Sequence, residues 1–97
     1  MAIQEEAGTA RPVRLITVQV SFPVSVKGPY RAQVPPQDTI SSVRLAAMGH
    51  FEVSDGADYA YVLTHGGRDV PDAETVEQVA GEKDLVEFRL VKKVVQG

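Results

Sequence analysis

The 97-residue chain has no cysteine and two histidines, His50 and His65. Without cysteine there are no disulfides, no thiolate metal sites and no thiol nucleophile. Two histidines are too few for an ordinary zinc site. His65 has neither a nucleophile nor an orienting carboxylate in the pattern that covalent catalysis requires. Gly66-Gly67 has no following Lys-Ser/Thr, so it is not a phosphate loop. Asp55 and Asp58 lack the spacing of a calcium loop. Asp69, Asp72, Glu74 and Glu77 form an acidic run, which most simply solvates one face. These residues assemble no catalytic set, no metal site and no cofactor site. The expectation is a protein that partners recognise, not an enzyme.

Composition agrees. Apolar residues are 43% and charged residues 24%, as in ordinary globular domains. A net charge of −3 argues against binding nucleic acid through phosphate contacts. No apolar run approaches the ~20 residues that span a bilayer. The start, Met1-Ala2-Ile3-Gln4-Glu5-Glu6, lacks the basic and apolar segments of a signal peptide. A cytoplasmic monomer without membrane contact is expected, formed by one domain.

Residues 1–12 show no periodicity and read as a flexible leader. In residues 14–22, Ile16, Val18, Val20 and Phe22 alternate with polar residues, which predicts a strand with one buried face. Pro23 ends it, and Lys27-Gly28-Pro29 marks a turn. Tyr30, Ala32 and Val34 predict a second strand, giving an antiparallel hairpin with a long loop. After Pro35-Pro36, Asp38 and Thr39 are good N-caps. Ile40, Val43, Ala47 and Phe51 then recur at helical spacing, with Gly49 expected to weaken or end the helix. Leu45 and Met48 fall off the main stripe.

Tyr59 to Thr64 predicts a third strand, with Val62 expected in the core and Tyr61 and Leu63 facing outward. Val76 and Val79 suggest a single helical turn. Val86, Phe88 and Leu90 alternate in a final strand, with a domain boundary expected after Val91 and a flexible tail over 92–97. Helix and sheet patterns are separated along the chain, so the class is α+β, a mixed sheet of four to five strands with one helix packed across it. The first and last strands are expected to run parallel at its centre.

The junction Val34-Pro35-Pro36-Gln37-Asp38-Thr39-Ile40, with Val43 beyond it, resembles the second-strand-to-helix corner of ubiquitin. Val62-Leu63-Thr64-His65-Gly66-Gly67-Arg68 is similar to that family's third strand and glycine turn, and Thr75-Val76 to the opening of its short helical segment. The resemblance covers residues 14–97 and implies a β-grasp fold over 13–91. The corner reports fold alone: Pro36 ends the strand, Thr39 caps the helix, and Ile40 and Val43 seat its first turn.

Function then turns on the carboxyl terminus. Ubiquitin-like modifiers end in glycine on a protruding tail. An activating enzyme adenylates that carboxylate, and a conjugating enzyme passes the acyl group to target proteins. Gly97 would be the conjugated residue, because a residue without Cβ admits nucleophiles to its carbonyl. Lys92, Lys93, Val94, Val95 and Gln96 would be the tail that partner enzymes read. Gln96 departs from the family's usual Gly-Gly ending. The resemblance also implies a docking patch of Tyr61, Leu63, His65, Arg89 and Val91, and Lys27 and Lys83 as chain acceptors. The long hairpin loop and the Gln-Gly ending look like the ubiquitin-like proteins of bacterial operons. Those operons also encode a deconjugating peptidase, and some act against phage. Two alternatives stand beside this reading: a non-conjugated interaction domain, and a sulfur carrier of the molybdopterin or thiazole type.

Overall fold

A computed structural model describes residues 14–94. The elements run β1 Ile16–Ser21, β2 Tyr30–Val34, α1 Ile40–Phe51, β3 Tyr59–His65, β4 Arg68–Asp69, α2 Val76–Ala80 and β5 Leu85–Val94. The five strands form one mixed sheet in the order β2-β1-β5-β3-β4. β1 pairs antiparallel with β2 and parallel with β5, so the first and last long strands lie side by side, as expected. The expected leader, residues 1–12, lies outside the described residues.

Period-two alternation explains the sheet's buried face. Ile16, Val18 and Val20 of β1 face the same layer as Val86, Phe88 and Leu90 of β5, and all six are buried. Leu63 of β3 and Val70 complete that side of the core. α1 covers it with Ile40, Val43, Ala47, Met48 and Phe51. Met48 is therefore core, while Leu45 on the far side of the helix is exposed. α2 adds Val76 and Ala80 at one end of the sheet.

The corners are closed by capping. The Thr39 hydroxyl accepts from the Ser42 N–H at 3.2 Å. Thr75 and Gln78 form a reciprocal capping box on α2. The two helix starts then bind each other: Ile40 N–H donates to the Glu74 carbonyl and Val76 N–H to the Asp38 carbonyl, both at 2.8 Å. The Pro-Asp-Thr-Ile corner thus receives α2 as well as starting α1.

The helix does not end at Gly49. It runs to Phe51, and Glu52 takes the left-handed C-cap conformation with φ of 61°. Interior glycine costs only about 1 kcal/mol, and burial of Phe51 just beyond it outweighs that. Glu52 is anchored by Lys27, whose ammonium donates to the Glu52 carboxylate and to the His50 carbonyl. The hydrogen bond from Lys27, and next its positive charge, hold the Glu52 carboxyl below its ordinary value of 4.5, against a lesser desolvation. Because the folded-state pKa is the lower one, this contribution is present above the unfolded value and is lost as pH falls through the folded one. Protonation of Glu52, as pH falls through its lowered pKa, is expected to loosen the hairpin loop at this contact while the Lys27–His50 and His50–Gly28 bonds remain. Amide shifts of residues 24–28 during an NMR titration would show it; amides that do not respond before global unfolding would contradict it.

β5 extends to Val94, three residues beyond the boundary expected after Val91. Pairing with β3 carries it: Lys92 lies opposite Tyr61, Lys93 opposite Ala60 and Val94 opposite Tyr59. Lys92 also places its ammonium 4.3 Å from the centre of the Tyr59 ring, and Lys93 pairs with Asp69 at 2.8 Å. Gly56 makes room for that ring, since a Cβ there would come within 2.4 Å of it.

Candidate interaction surface

The helices cover one face of the sheet, and no described element covers the opposite face. Its residues follow from strand parity and register. Val62 of β3 lies opposite Val91 of β5, Thr64 opposite Arg89, and Ala60 opposite Lys93. Gln19 and Ser21 of β1 lie next to Glu87 and Arg89. The centre of this face is the half-buried Val62–Val91 pair, with Arg89 and Lys93 exposed on either side of Val91 along β5. An apolar spot rimmed by Arg89, Glu87 and the Lys93–Asp69 ion pair suits a partner with apolar side chains and charges of both signs.

This placement corrects the expected patch. Tyr61 is 8% and Leu63 0% exposed, so both belong to the core and not to the outer face. Side chains alternate strictly along a strand, and a choice of parity wrong by one residue exchanges the two faces. In Tyr59-Ala60-Tyr61-Val62-Leu63 both parities are apolar, so alternation could not decide. Side-chain volume was the available signal: Tyr61 and Leu63 are large enough to fill the layer under α1, where Ala60 and Val62 are smaller. Arg89 and Val91 lie on the outer face as expected. His65 shares the parity of Leu63; its Nδ1 lies 3.0 Å from the Glu87 carbonyl oxygen and its ring centre 5.9 Å from that of Phe88. On β3, Ala60, Val62 and Thr64 are the members of this face missing from the expected patch, as are Gln19, Ser21 and Glu87 on the neighbouring strands.

The remaining site residues separate. Lys92 and Lys93 project from opposite faces of β5, toward Tyr59 and Asp69 respectively. Lys27 is engaged with α1, whereas the exposed Lys83 ammonium has no hydrogen bond or ion pair among the described residues. Val95, Gln96 and Gly97 lie outside the described residues. No group of three or more metal-ligating side chains occurs among the described residues. No helix there is long and apolar enough to cross a membrane.

Behind the outer face, one charged group ties three segments together. Arg44 of α1 is only 12% exposed along its side chain. It donates to both carboxylate oxygens of Asp72 at 3.1 Å, and to Asp55 and the Tyr61 carbonyl at 3.3 Å. Asp55 in turn accepts from the Tyr61 N–H at 2.8 Å. Burial alone would lower the pKa of the guanidinium, but the hydrogen bonds and charges of Asp72 and Asp55 outweigh burial and raise it. The network sets the height of β3 against α1, and so the plane of the outer face.

The architecture is the ubiquitin-like β-grasp fold. No protein-family model matches the sequence, and no curated protein matches it. Solved structures do. A ubiquitin of Caldiarchaeum subterraneum matches over 86% of this chain and 99% of its own, with 24% identity and a TM-score of 0.65. A Trypanosoma brucei ATG8 matches over 87% of this chain and 78% of its own, with 11% identity and a TM-score of 0.63. The ubiquitin-like domain of an Arabidopsis thaliana protein matches over 94% and 90%, with 20% identity and a TM-score of 0.57. At these identities the likeness establishes the fold.

Proposed function

We propose that this ubiquitin-like protein is a modifier, consumed as the substrate of an activation and transfer pathway. The observation that carries the reading is the placement of β5. It runs through the middle of the sheet and, among the described residues, past the last buried one, Leu90, with exposed strand continuing to Val94, three residues before Gly97. An activating enzyme would join the Gly97 carboxylate to the α-phosphate of ATP and release pyrophosphate. A cysteine thiolate would then displace AMP to give a thioester, which passes to a conjugating enzyme. An amine of a target protein would displace that thiolate and form an amide. A deconjugating peptidase would hydrolyse the amide. Lys92 to Gln96 would be read by these enzymes, and the face around Val62, Val91 and Arg89 would dock them. Lys83, whose ammonium has no partner among the described residues, is the better placed of the two acceptor lysines. The long β1–β2 loop and the Gln96-Gly97 ending support a bacterial ubiquitination-like operon as the setting, including one directed against phage.

Deletion of Gly97 tests the reading. Intact-mass analysis of material from native cells is expected to find the chain in amide linkage to other proteins, and to find none of that linkage for the shortened chain. Conjugates that persist without Gly97 would refute it. A free chain in both cases would indicate the non-covalent interaction domain, which the Val62–Val91 face favours. Oxygen replaced by sulfur at the carboxylate would indicate the sulfur carrier.

A further inference from the structure

Among the described residues the end of β5 is paired on one side only, and the main chain shows why. Thr17 lies opposite Leu85, and its N–H donates to the Asp84 carbonyl at 2.8 Å. In a parallel ladder this fixes the alternation. Thr17, Gln19 and Ser21 bond to even-numbered residues of β5, and the odd-numbered residues of β5 bond to β3. Val86, Phe88 and Leu90 thus direct their N–H and C=O groups at β1, while Arg89, Val91 and Lys93 direct theirs at β3.

The next donor from β1, to the Leu90 carbonyl, would be residue 23. It is Pro23, which has no N–H. The chain turns away at this point, with the Ser25 N–H closing a turn on the Phe22 carbonyl at 2.9 Å. β5 nonetheless continues to Val94 along β3. The Leu90 carbonyl, both main-chain groups of Lys92 and the Val94 N–H therefore face the side that β1 has left. Lys92 and Val94 are exposed. The Lys92–Tyr59 and Lys93–Asp69 contacts hold the segment flat on β3 while its far edge stays open.

We propose that this open edge, residues 90–94 of β5, takes up an extended acidic segment of a partner protein as an added strand. Main-chain pairing supplies attachment, and Lys92 and Lys93 select the charge. A second copy is disfavoured as occupant, because edge-to-edge pairing of two such segments would set Lys92 and Lys93 against their own counterparts. The inference is independent of Gly97, and a chain lacking Gly97 is expected to behave as the full chain does.

The test is an NMR titration of the full chain with an acetylated, amidated Val-Glu-Val-Glu-Val peptide. Slowed exchange and shift changes are expected at the Lys92 and Val94 amides and not at Val91 and Lys93, whose N–H groups are already bonded to β3. Lys92→Pro removes an N–H that has no partner among the described residues, at an edge position that accommodates proline, so the fold should persist. Binding should weaken about tenfold or more, whereas Lys92→Ala, which keeps the N–H, should weaken it only about two- to threefold. Pro23→Ala restores the missing donor to Leu90 and should also reduce binding, which decides the matter if Lys92→Pro does not fold. The proposal is overturned if Lys92→Pro binds as the unaltered chain does, if a Val-Lys-Val-Lys-Val peptide binds equally well, if the shifts map to another edge or face, or if they follow protein concentration without peptide.

Discussion

Replacing Leu63 with alanine is expected to destabilise the domain by about 3 kcal/mol, while Val62→Ala, one residue away, changes stability by about 0.5 kcal/mol or less. Leu63 is fully enclosed, opposite the equally buried Leu90 and beside Val70, whose N–H donates to the Leu63 carbonyl at 2.9 Å. Truncation removes three carbons' worth of burial and leaves a cavity that a strand clamped between β5 and β4 cannot close. For a domain of this size the loss corresponds to a fall in melting temperature of roughly 12–24 °C. Val62 lies on the outer face, and its truncation empties no enclosed space. Paired thermal or denaturant unfolding of the two variants measures the difference directly. Equal effects, or a larger effect at Val62, would mean that β3 presents the other face to the core. The same pair separates stability from recognition: Val62→Asp is expected to leave the fold intact while weakening any partner that docks on the Val62–Val91 pair.

Arg44→Met is expected to cost about 1–2 kcal/mol, by a different mechanism, because the half-exposed Asp72 and Asp55 carboxylates regain water when the guanidinium is lost. Methionine can occupy much of the volume of the arginine stem. The loss is therefore electrostatic: Asp72 keeps its carboxylate without the two-pronged donor, and Asp55 and the Tyr61 carbonyl lose a partner. Arg44→Lys should recover only part of it. An ammonium keeps the charge but cannot reach Asp72, Asp55 and the Tyr61 carbonyl with one planar fork. Unfolding in urea would rank the chain, Arg44→Lys and Arg44→Met in that order of stability. A methionine variant as stable as the parent would show the network to be replaceable by packing. Because the network spans α1, the loop at Asp55, β3 and the loop at Asp72, Arg44→Met is also expected to shift amide resonances along β3 well beyond its nearest neighbours.

The two expectations differ in how much of their basis can be read from the sequence. The alternation of Ile16, Val18 and Val20 against polar neighbours leaves one assignment of faces, and β1 follows it. The Thr39 cap and the stripe from Ile40 to Phe51 are equally local, because an N-cap and a helical period each involve residues a few positions apart. β3 has no such contrast: Tyr61, Leu63, Ala60 and Val62 are all apolar, and only the pairing with β5 and the space under α1 select a face. Arg44 gave no signal, because its partners are 11 and 28 residues away. The open edge at residues 90–94 lies between these cases. Pro23 is visible in the sequence as the end of a strand, but which carbonyl it fails to serve depends on the register with β5.

What the sequence by itself determined is most of what near neighbours govern: the order and kind of the longer elements, the Thr39 cap, the turn residues, and through the Val34–Val43 corner the kinship of the fold, though not the helix end at Glu52 or the two-residue strand β4. Only the tertiary structure decided which face of β3 is buried, how far β5 continues, and which charged groups meet at Arg44. Each of those depends on contacts between segments distant along the chain, where loop closure and packing volume, not local propensity, decide which side chain meets which.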